Sequence, residues 1–120
     1  MPFAGLWEGT MILEDGPGTG RPFVMRIDVA DVSRRSYAGF TLLPGNDRAP
    51  HDKTRVRDGL LQWEQPNSGG GLWHYSARLT SRDSLSVTVM LRGWPQGGGK
   101  TPNGTFVLVR QAERTGARRS

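Results

Sequence analysis

Three aromatic residues in the second half of the chain, Trp63, Trp73 and Tyr75, are the side chains best suited to form a binding site. Each lies at an apolar position of an alternating segment, so all three are predicted to face one interior. Tyr75 also carries a hydroxyl that needs a partner if it is buried. Apolar walls with few polar groups are typical of small-molecule sites. Tyr75 is therefore the predicted polar contact to a ligand carbonyl, and the predicted catalytic residue if the protein is an enzyme.

Three further residues complete the predicted site. Phe23 and Met25 are bulky inward positions on a separate strand, and they are predicted to lie across the cavity from the aromatic set. Trp94 stands in the glycine- and proline-rich loop "GWPQGGGKTPNG", where it either covers the mouth of the cavity or fastens the loop to the body. The same apolar residues can also pack together as an ordinary core, and both interpretations stay open.

Other apparent motifs fail in their context. The segment "GGGKT" (97–101) resembles half of a phosphate-binding loop, but Trp94 stands where the first glycine is required and Pro102 where the helix would begin. The two histidines, His51 and His74, are predicted to lie in a loop and on an outward face, so no metal site is expected. No cofactor is predicted, and a haem held by a single histidine is a less favoured alternative.

Length and composition bound the class of protein. The chain has 120 residues, enough for one domain with a modest core, and its 17 glycines and 8 prolines favour turns over long helices. It has no cysteine, which removes disulfides and fits a reducing compartment. Because neither a signal peptide nor an apolar stretch long enough to span a bilayer is evident, we expect a soluble cytoplasmic protein with no membrane partner.

Part of the basic charge is concentrated at the C-terminus. The net charge is +5, and the last ten residues contain three arginines against one glutamate. These residues have almost no apolar side chains, so a disordered basic tail is predicted at 111–120 after a barrel domain at 1–110. The remaining charge is ordinary, and nucleic acid is not a favoured partner.

Alternation of apolar and polar residues recurs along the chain and predicts an all-β fold. Asp58-Gly59 is a turn pair typical of a tight hairpin, and the polar segment "PGNDRAPHDK" (44–53) is predicted to be a long connection. About eight short strands joined by turns indicate a single antiparallel up-and-down barrel, because closure removes exposed edges. The predicted strands centre on residues 7–13, 23–29, 37–43, 56, 61–63, 73–79, 85–91 and 106–110.

Gly5-Leu6-Trp7 stands at the head of the first predicted strand, and Arg110 stands at the end of the last. These two elements resemble the lipocalin and fatty-acid-binding-protein (calycin) superfamily, and the chain is similar to small bacterial lipocalin-like barrels. The resemblance implies that Arg110 lies across Trp7 and that the two plug one end of the barrel, with cation–π attraction between them. The chain departs from typical lipocalins in being shorter and in lacking their flanking helix and disulfides.

Three functions are compatible with such a barrel. The first is binding of a small hydrophobic or polycyclic molecule inside the cavity. The second is a cofactor-independent cyclase or isomerase of natural-product biosynthesis that folds a flexible substrate by proximity. The third is an accessory barrel with a filled core and a protein partner. A homodimer is a further open alternative. The predicted site lies at the end of the barrel away from Trp7 and Arg110.

Overall fold

Nine antiparallel strands make up the described part of the chain. The computed structural model describes residues 2–14, 16, 19–43 and 47–112. The strands are β1 (Gly5–Thr10), β2 (Pro22–Asp31), β3 (Ser36–Leu42), β4 (Arg48–Pro50), β5 (Asp52–Arg57), β6 (Leu60–Pro66), β7 (Leu72–Ser81), β8 (Ser84–Arg92) and β9 (Asn103–Gln111). A single 3₁₀ turn at Pro95–Gly97 is the one helical element among these residues. The prediction of an all-β fold is confirmed, with nine strands where about eight were expected.

The strands form one sheet that is nearly closed into a barrel. Its order is β4-β3-β2-β1-β9-β8-β7-β6-β5, so every neighbouring pair is consecutive in sequence except β1 and β9. The two outer strands, β4 and β5, are separated in the chain by His51 alone. The chain therefore passes from one edge strand of the sheet, β4, to the other, β5, through a single residue, and this brings the two edges of the sheet together. This junction is the seam of the barrel.

The predicted long connection at 44–53 is wrong over most of its length. Arg48–Pro50 pairs with β3, and Asp52 is the first residue of β5, whereas residues 44–46 lie outside the described part of the chain. The side chains of both short strands are mostly exposed, and those of β5 are mostly polar. Because these strands lie at the seam, apolar and polar residues do not alternate along them. That alternation is the pattern that predicts a strand.

Alternation places the core correctly in most strands. Leu85, Val87, Val89 and Leu91 of β8 are all fully buried, as predicted. The exception is Val29 near the end of β2, which has the same parity as the buried Phe23, Met25 and Ile27 but is 37% exposed. The pairing between β2 and β3 shifts register after Val29, so the strand leaves the regular inward and outward pattern there.

The hairpin between β5 and β6 follows the prediction from its turn pair. Asp58 and Gly59 both have positive φ, 53° and 78°, and Val56 pairs with Leu61 across the turn. Two successive residues with positive φ define the tight turn whose twist matches that of antiparallel strands.

Among the described residues, no helix is long and apolar enough to cross a membrane.

One end of the barrel, here called the closed end, is filled by Trp7 and covered by Arg110. Trp7 is fully buried, its Nε1 donates to Phe3 O at 3.0 Å, and the Arg110 guanidinium carbon lies 4.2 Å from the centroid of its ring. Gly5 has a φ of 142°, and a Cβ there would lie 2.7 Å from Nη1 of Arg110. The glycine two residues before the tryptophan is therefore required by the guanidinium that covers the indole.

Candidate functional site

The opposite end of the barrel contains an open pocket, here called the end pocket, with a volume of about 590 Å³. It is formed where β1 leaves the barrel, where β2 and β7 begin, and where β3 and β6 end. Its apolar and aromatic lining comes from Met11, Phe23, Leu42, Leu43, Trp73 and Tyr75, together with Pro22 and Val24. Its polar lining comes from Arg21, Thr41, Gln65, Asn67 and Ser68. The lining of the cavity is thus largely apolar and includes a few polar side chains.

Tyr75 is the centre of the aromatic cluster beneath this pocket. Its ring stacks on Trp63 at 4.9 Å and 9°, and Trp63 in turn stacks on the imidazole of His51 at 4.6 Å and 16°. We call these three parallel rings the aromatic column. Phe23 and Trp73 contact the Tyr75 ring at 5.7 Å and 6.1 Å between centroids. The column therefore runs from the seam of the barrel to the pocket wall and fixes the position of Tyr75.

The structure divides the six predicted binding residues into two groups. Phe23, Trp73 and Tyr75 line the end pocket. Met25 and Trp63 are enclosed in the core and do not line it. Trp63 lies behind Tyr75 in the aromatic column, and Met25 pairs with Trp7, which places it one step deeper than Phe23. Alternation predicts which face a residue occupies, but it does not predict the depth of that residue in the barrel.

Trp94 is the sixth predicted residue, and it lies outside the pocket lining. Its partly buried ring packs against the core, and Pro95 beside it lies close to Gly70 of the β6–β7 loop. A Cβ on Gly70 would approach Pro95 Cδ to 2.8 Å, so the two loops are in close contact. Of the two roles that the sequence left open for Trp94, this position matches the one that fastens the loop to the body.

The Tyr75 hydroxyl is kept neutral by its surroundings. Burial raises the pKa of Tyr75 well above its ordinary value, because the phenolate would lose its hydration. The neighbouring wall is held by Asn67, whose Oδ1 accepts from Trp73 Nε1 at 3.2 Å and whose Nδ2 donates to Gly70 O at 2.9 Å. Tyr75 can therefore act at neutral pH as a hydroxyl donor or acceptor on a rigid aromatic wall.

His51 lies at the one-residue junction between β4 and β5 rather than in the long polar loop that the sequence predicts for it. The residue is buried at the seam, where its backbone N–H donates to Gly39 O at 2.9 Å and its Nε2 hydrogen-bonds to Thr41 Oγ1 at 2.8 Å. Burial lowers the pKa of His51 to about 3, because the imidazolium would be desolvated without a facing carboxylate. A neutral His51 thus connects β3, through Thr41, with β6, through Trp63.

The other histidine lies where the sequence predicts. His74 is on the outer face of β7, with Nδ1 3.4 Å from Glu64 Oε2, and Lys53 Nζ lies 3.6 Å from the other oxygen of the same carboxylate. His74 and Glu64 border a shallow outer depression of about 170 Å³. In the described residues, no group of three histidine, cysteine or acidic side chains comes together.

Gln65 and Thr41 are the site residues that sequence reasoning missed. Both side chains are buried and both line the end pocket. The signal was available in each strand, since Gln65 has the same parity as Leu61 and Trp63, and Thr41 the same parity as Tyr37. A polar residue at a position whose neighbours in the same register are buried is a sign of an internal polar site.

The fold and the end pocket together define a small antiparallel barrel with an accessible cavity at one end. Its strand order, with consecutive hairpins and pairing of the first and last strands, is compatible with a calycin-like fold. Comparison of the chain with protein-family models, with curated proteins and with solved structures finds no match.

Proposed function

We propose that the protein binds a small, largely apolar molecule in the end pocket. The observation that carries this proposal is a cavity of about 590 Å³ with apolar and aromatic walls at the end of the barrel opposite Trp7 and Arg110. Small-molecule sites have volumes of roughly 300–1,000 Å³ and combine such walls with a few polar groups. The same cavity weighs against an accessory barrel whose interior is filled.

Tyr75 is the proposed polar contact within this site. Its hydroxyl stays protonated because burial raises the pKa of Tyr75, and its ring is held in place by stacking on the ring of Trp63. Such a hydroxyl can donate to a ligand carbonyl without losing rotational freedom on binding. Phe23 and Trp73 beside it supply aromatic surface for a planar ligand.

Membership of the calycin superfamily is part of the same proposal. Two observations support it: Arg110 covers the ring of Trp7, and Gly5 leaves the space that the guanidinium occupies. This is the arrangement that the resemblance implies for the closed end. A cytoplasmic location also belongs to the proposal.

A second candidate function is cofactor-free cyclisation or isomerisation of a flexible substrate. The observation that favours it is the aromatic column, which fixes the ring of Tyr75, a residue of the pocket lining. A fixed donor beside a confining wall can polarise a carbonyl while the wall brings reacting ends together. Recovery of a bound molecule that stays chemically unchanged on prolonged incubation with the protein would exclude this function.

The binding proposal is tested by removing a wall residue. Isothermal titration calorimetry with 2-methoxynaphthalene, an apolar two-ring probe, should give saturable binding to the wild-type protein. Trp73→Ala should weaken that binding at least about tenfold, because the indole forms part of the pocket wall and its aromatic contact is lost. Trp94→Ala is the matched control, since this tryptophan lies near the same end but outside the lining.

The control should bind within about twofold of the wild type, a ratio worth well under 1 kcal/mol. Absence of saturable binding to the wild type by this probe and by larger polycyclic probes would overturn the proposal. Equal loss in both variants would place the binding outside the end pocket.

A further inference from the structure

Gln65 is a polar side chain at a position where the barrel otherwise places apolar ones. It follows Leu61 and Trp63 on the inward face of β6, and it pairs with Trp73 on β7. The residue is only 5% exposed, and its side chain lines the end pocket. Gln65 thus contributes to the pocket wall beside Trp73 of the neighbouring strand.

Among the described residues, nothing donates to Gln65 Oε1, although the atom is buried. An acceptor left in this state costs free energy, and native proteins retain very few of them without a reason. The oxygen lies just below the surface of the pocket wall, so a ligand that donates to it would remove this cost once the carboxamide turns towards the pocket.

Gln65 Oε1 differs in its position from the other buried polar atoms that lack hydrogen-bond partners among the described residues. Those atoms are Trp63 Nε1, His51 Nδ1 and Thr54 Oγ1, and none of their residues lines the end pocket. Gln65 alone combines an unpartnered buried atom with a place on the cavity wall, within the part of the chain that the structure describes. The residue that carries the unsatisfied acceptor therefore also lines the end pocket.

We propose that the ligand carries an N–H or O–H group that donates to Gln65 Oε1, and that Gln65 determines specificity for such ligands. The proposal rests on the proposed binding function and specifies its ligand class: a planar aromatic body with a hydrogen-bond donor on its edge. The aromatic body contacts Phe23, Trp73 and Tyr75, and the carboxamide oxygen accepts a hydrogen bond from the donor.

The choice of variants follows from the chemistry of the position. Gln65→Met keeps the length of the side chain and removes the acceptor. Gln62→Met is the matched control, because Gln62 lies three residues earlier on the same strand, on its outer face, and its Oε1 accepts from Arg55 Nε at 3.1 Å. Each variant is first confirmed to unfold cooperatively, so that a loss of binding is not a loss of fold.

The experiment compares two probes that differ only in the donor. Isothermal titration calorimetry is carried out with 2-naphthol, which has an O–H donor, and with 2-methoxynaphthalene, in which that donor is methylated. The wild type should bind 2-naphthol at least about tenfold more tightly than the methyl ether, the ratio expected for a hydrogen bond to a buried acceptor. In Gln65→Met this ratio should fall to about one, with the affinity for the methyl ether unchanged, whereas Gln62→Met should keep the wild-type ratio.

The possible failures separate the two proposals. A preference for 2-naphthol that persists in Gln65→Met would assign the donor to another acceptor and overturn the inference. Equal binding of both probes by the wild type, or tighter binding of the methyl ether, would also overturn the inference, while the pocket would remain a binding site. If neither probe binds to the wild type, and larger polycyclic probes fail as well, the proposed function fails and the inference falls with it.

Discussion

The two ends of the barrel differ in how far their polar side chains are satisfied by hydrogen bonds within the protein. At the closed end the Arg110 guanidinium donates to Pro2 O at 2.7 Å, to Arg82 O at 2.9 Å and to Ala4 O, and its Nε lies 3.2 Å from Asp83 Oδ1. At the open end the carboxamide oxygen of Gln65 is buried with no donor among the described residues. The polar groups of the first end have internal partners, whereas the second end has a cavity lined by a residue whose buried acceptor has no donor among the described residues.

This difference separates stability from function along the barrel axis. Burial of Trp7 and the hydrogen bonds of Arg110 stabilise the fold and leave nothing for a ligand to contact. A cavity and an unpartnered acceptor lower stability, so their retention at one end is understandable if that end binds something. Substitutions at the closed end should therefore lower the free energy of unfolding, whereas substitutions in the end pocket should mainly change binding.

The largest effect is expected from truncation of Trp7. Trp7→Ala should lower the free energy of unfolding by about 3–5 kcal/mol, because a fully buried indole is removed and the guanidinium above it loses its aromatic contact. Urea denaturation of the wild type and the variant measures this change. Trp94→Ala is again the control and should cost clearly less, since that ring is only partly buried. A loss below about 1 kcal/mol for Trp7→Ala would contradict the stabilising role of the closed end.

A smaller effect is expected from acid, through His51 at the seam. Its pKa falls from an ordinary 6.5 to about 3 in the folded state, so between these values the unfolded chain binds a proton that the folded chain does not. The contribution of neutral His51 is therefore complete above pH 6.5 and is lost progressively as the pH falls towards 3. From pH 7.5 to pH 5 the free energy of unfolding should drop by about 2 kcal/mol from this residue.

The variant His51→Gln separates this titration from the others. Glutamine can still hydrogen-bond to Thr41 but does not titrate, so the variant should be less stable at pH 7.5 and should lose less stability on acidification. Urea denaturation at a series of pH values measures both slopes. Identical slopes in the two proteins would show that His51 is not the residue responsible.

The regular strands and the closed end were predictable from the sequence, and the seam was not. The inward residues of β8 alternate strictly because one face is buried and the other is solvated, which is the pattern that sequence reasoning detects. β4 and β5 show no such pattern, because they meet at the seam with mostly exposed side chains. His51 is buried through its place at a one-residue junction between strands, which no periodicity encodes.

The candidate site was predictable in part for a similar reason. The parity of Phe23, Trp73 and Tyr75 placed them correctly on the inner face. Parity does not determine depth, however, and Met25 differs from Phe23 only by one step towards the closed end. Depth depends on how the strands are staggered around the barrel, which is a property of the whole sheet.

The smallest expected effect has the opposite sign and compares the two ends most directly. Gln65→Met should leave the free energy of unfolding unchanged or raise it by about 1 kcal/mol, because it replaces a buried, unpartnered acceptor with an apolar side chain of similar length. Gln62→Met on the outer face should change it by no more than about 0.5 kcal/mol. Both values come from the same urea titrations as those of Trp7→Ala. A loss of more than about 1 kcal/mol in Gln65→Met would mean that the carboxamide has a structural partner, and that the open end is saturated in the same way as the closed end.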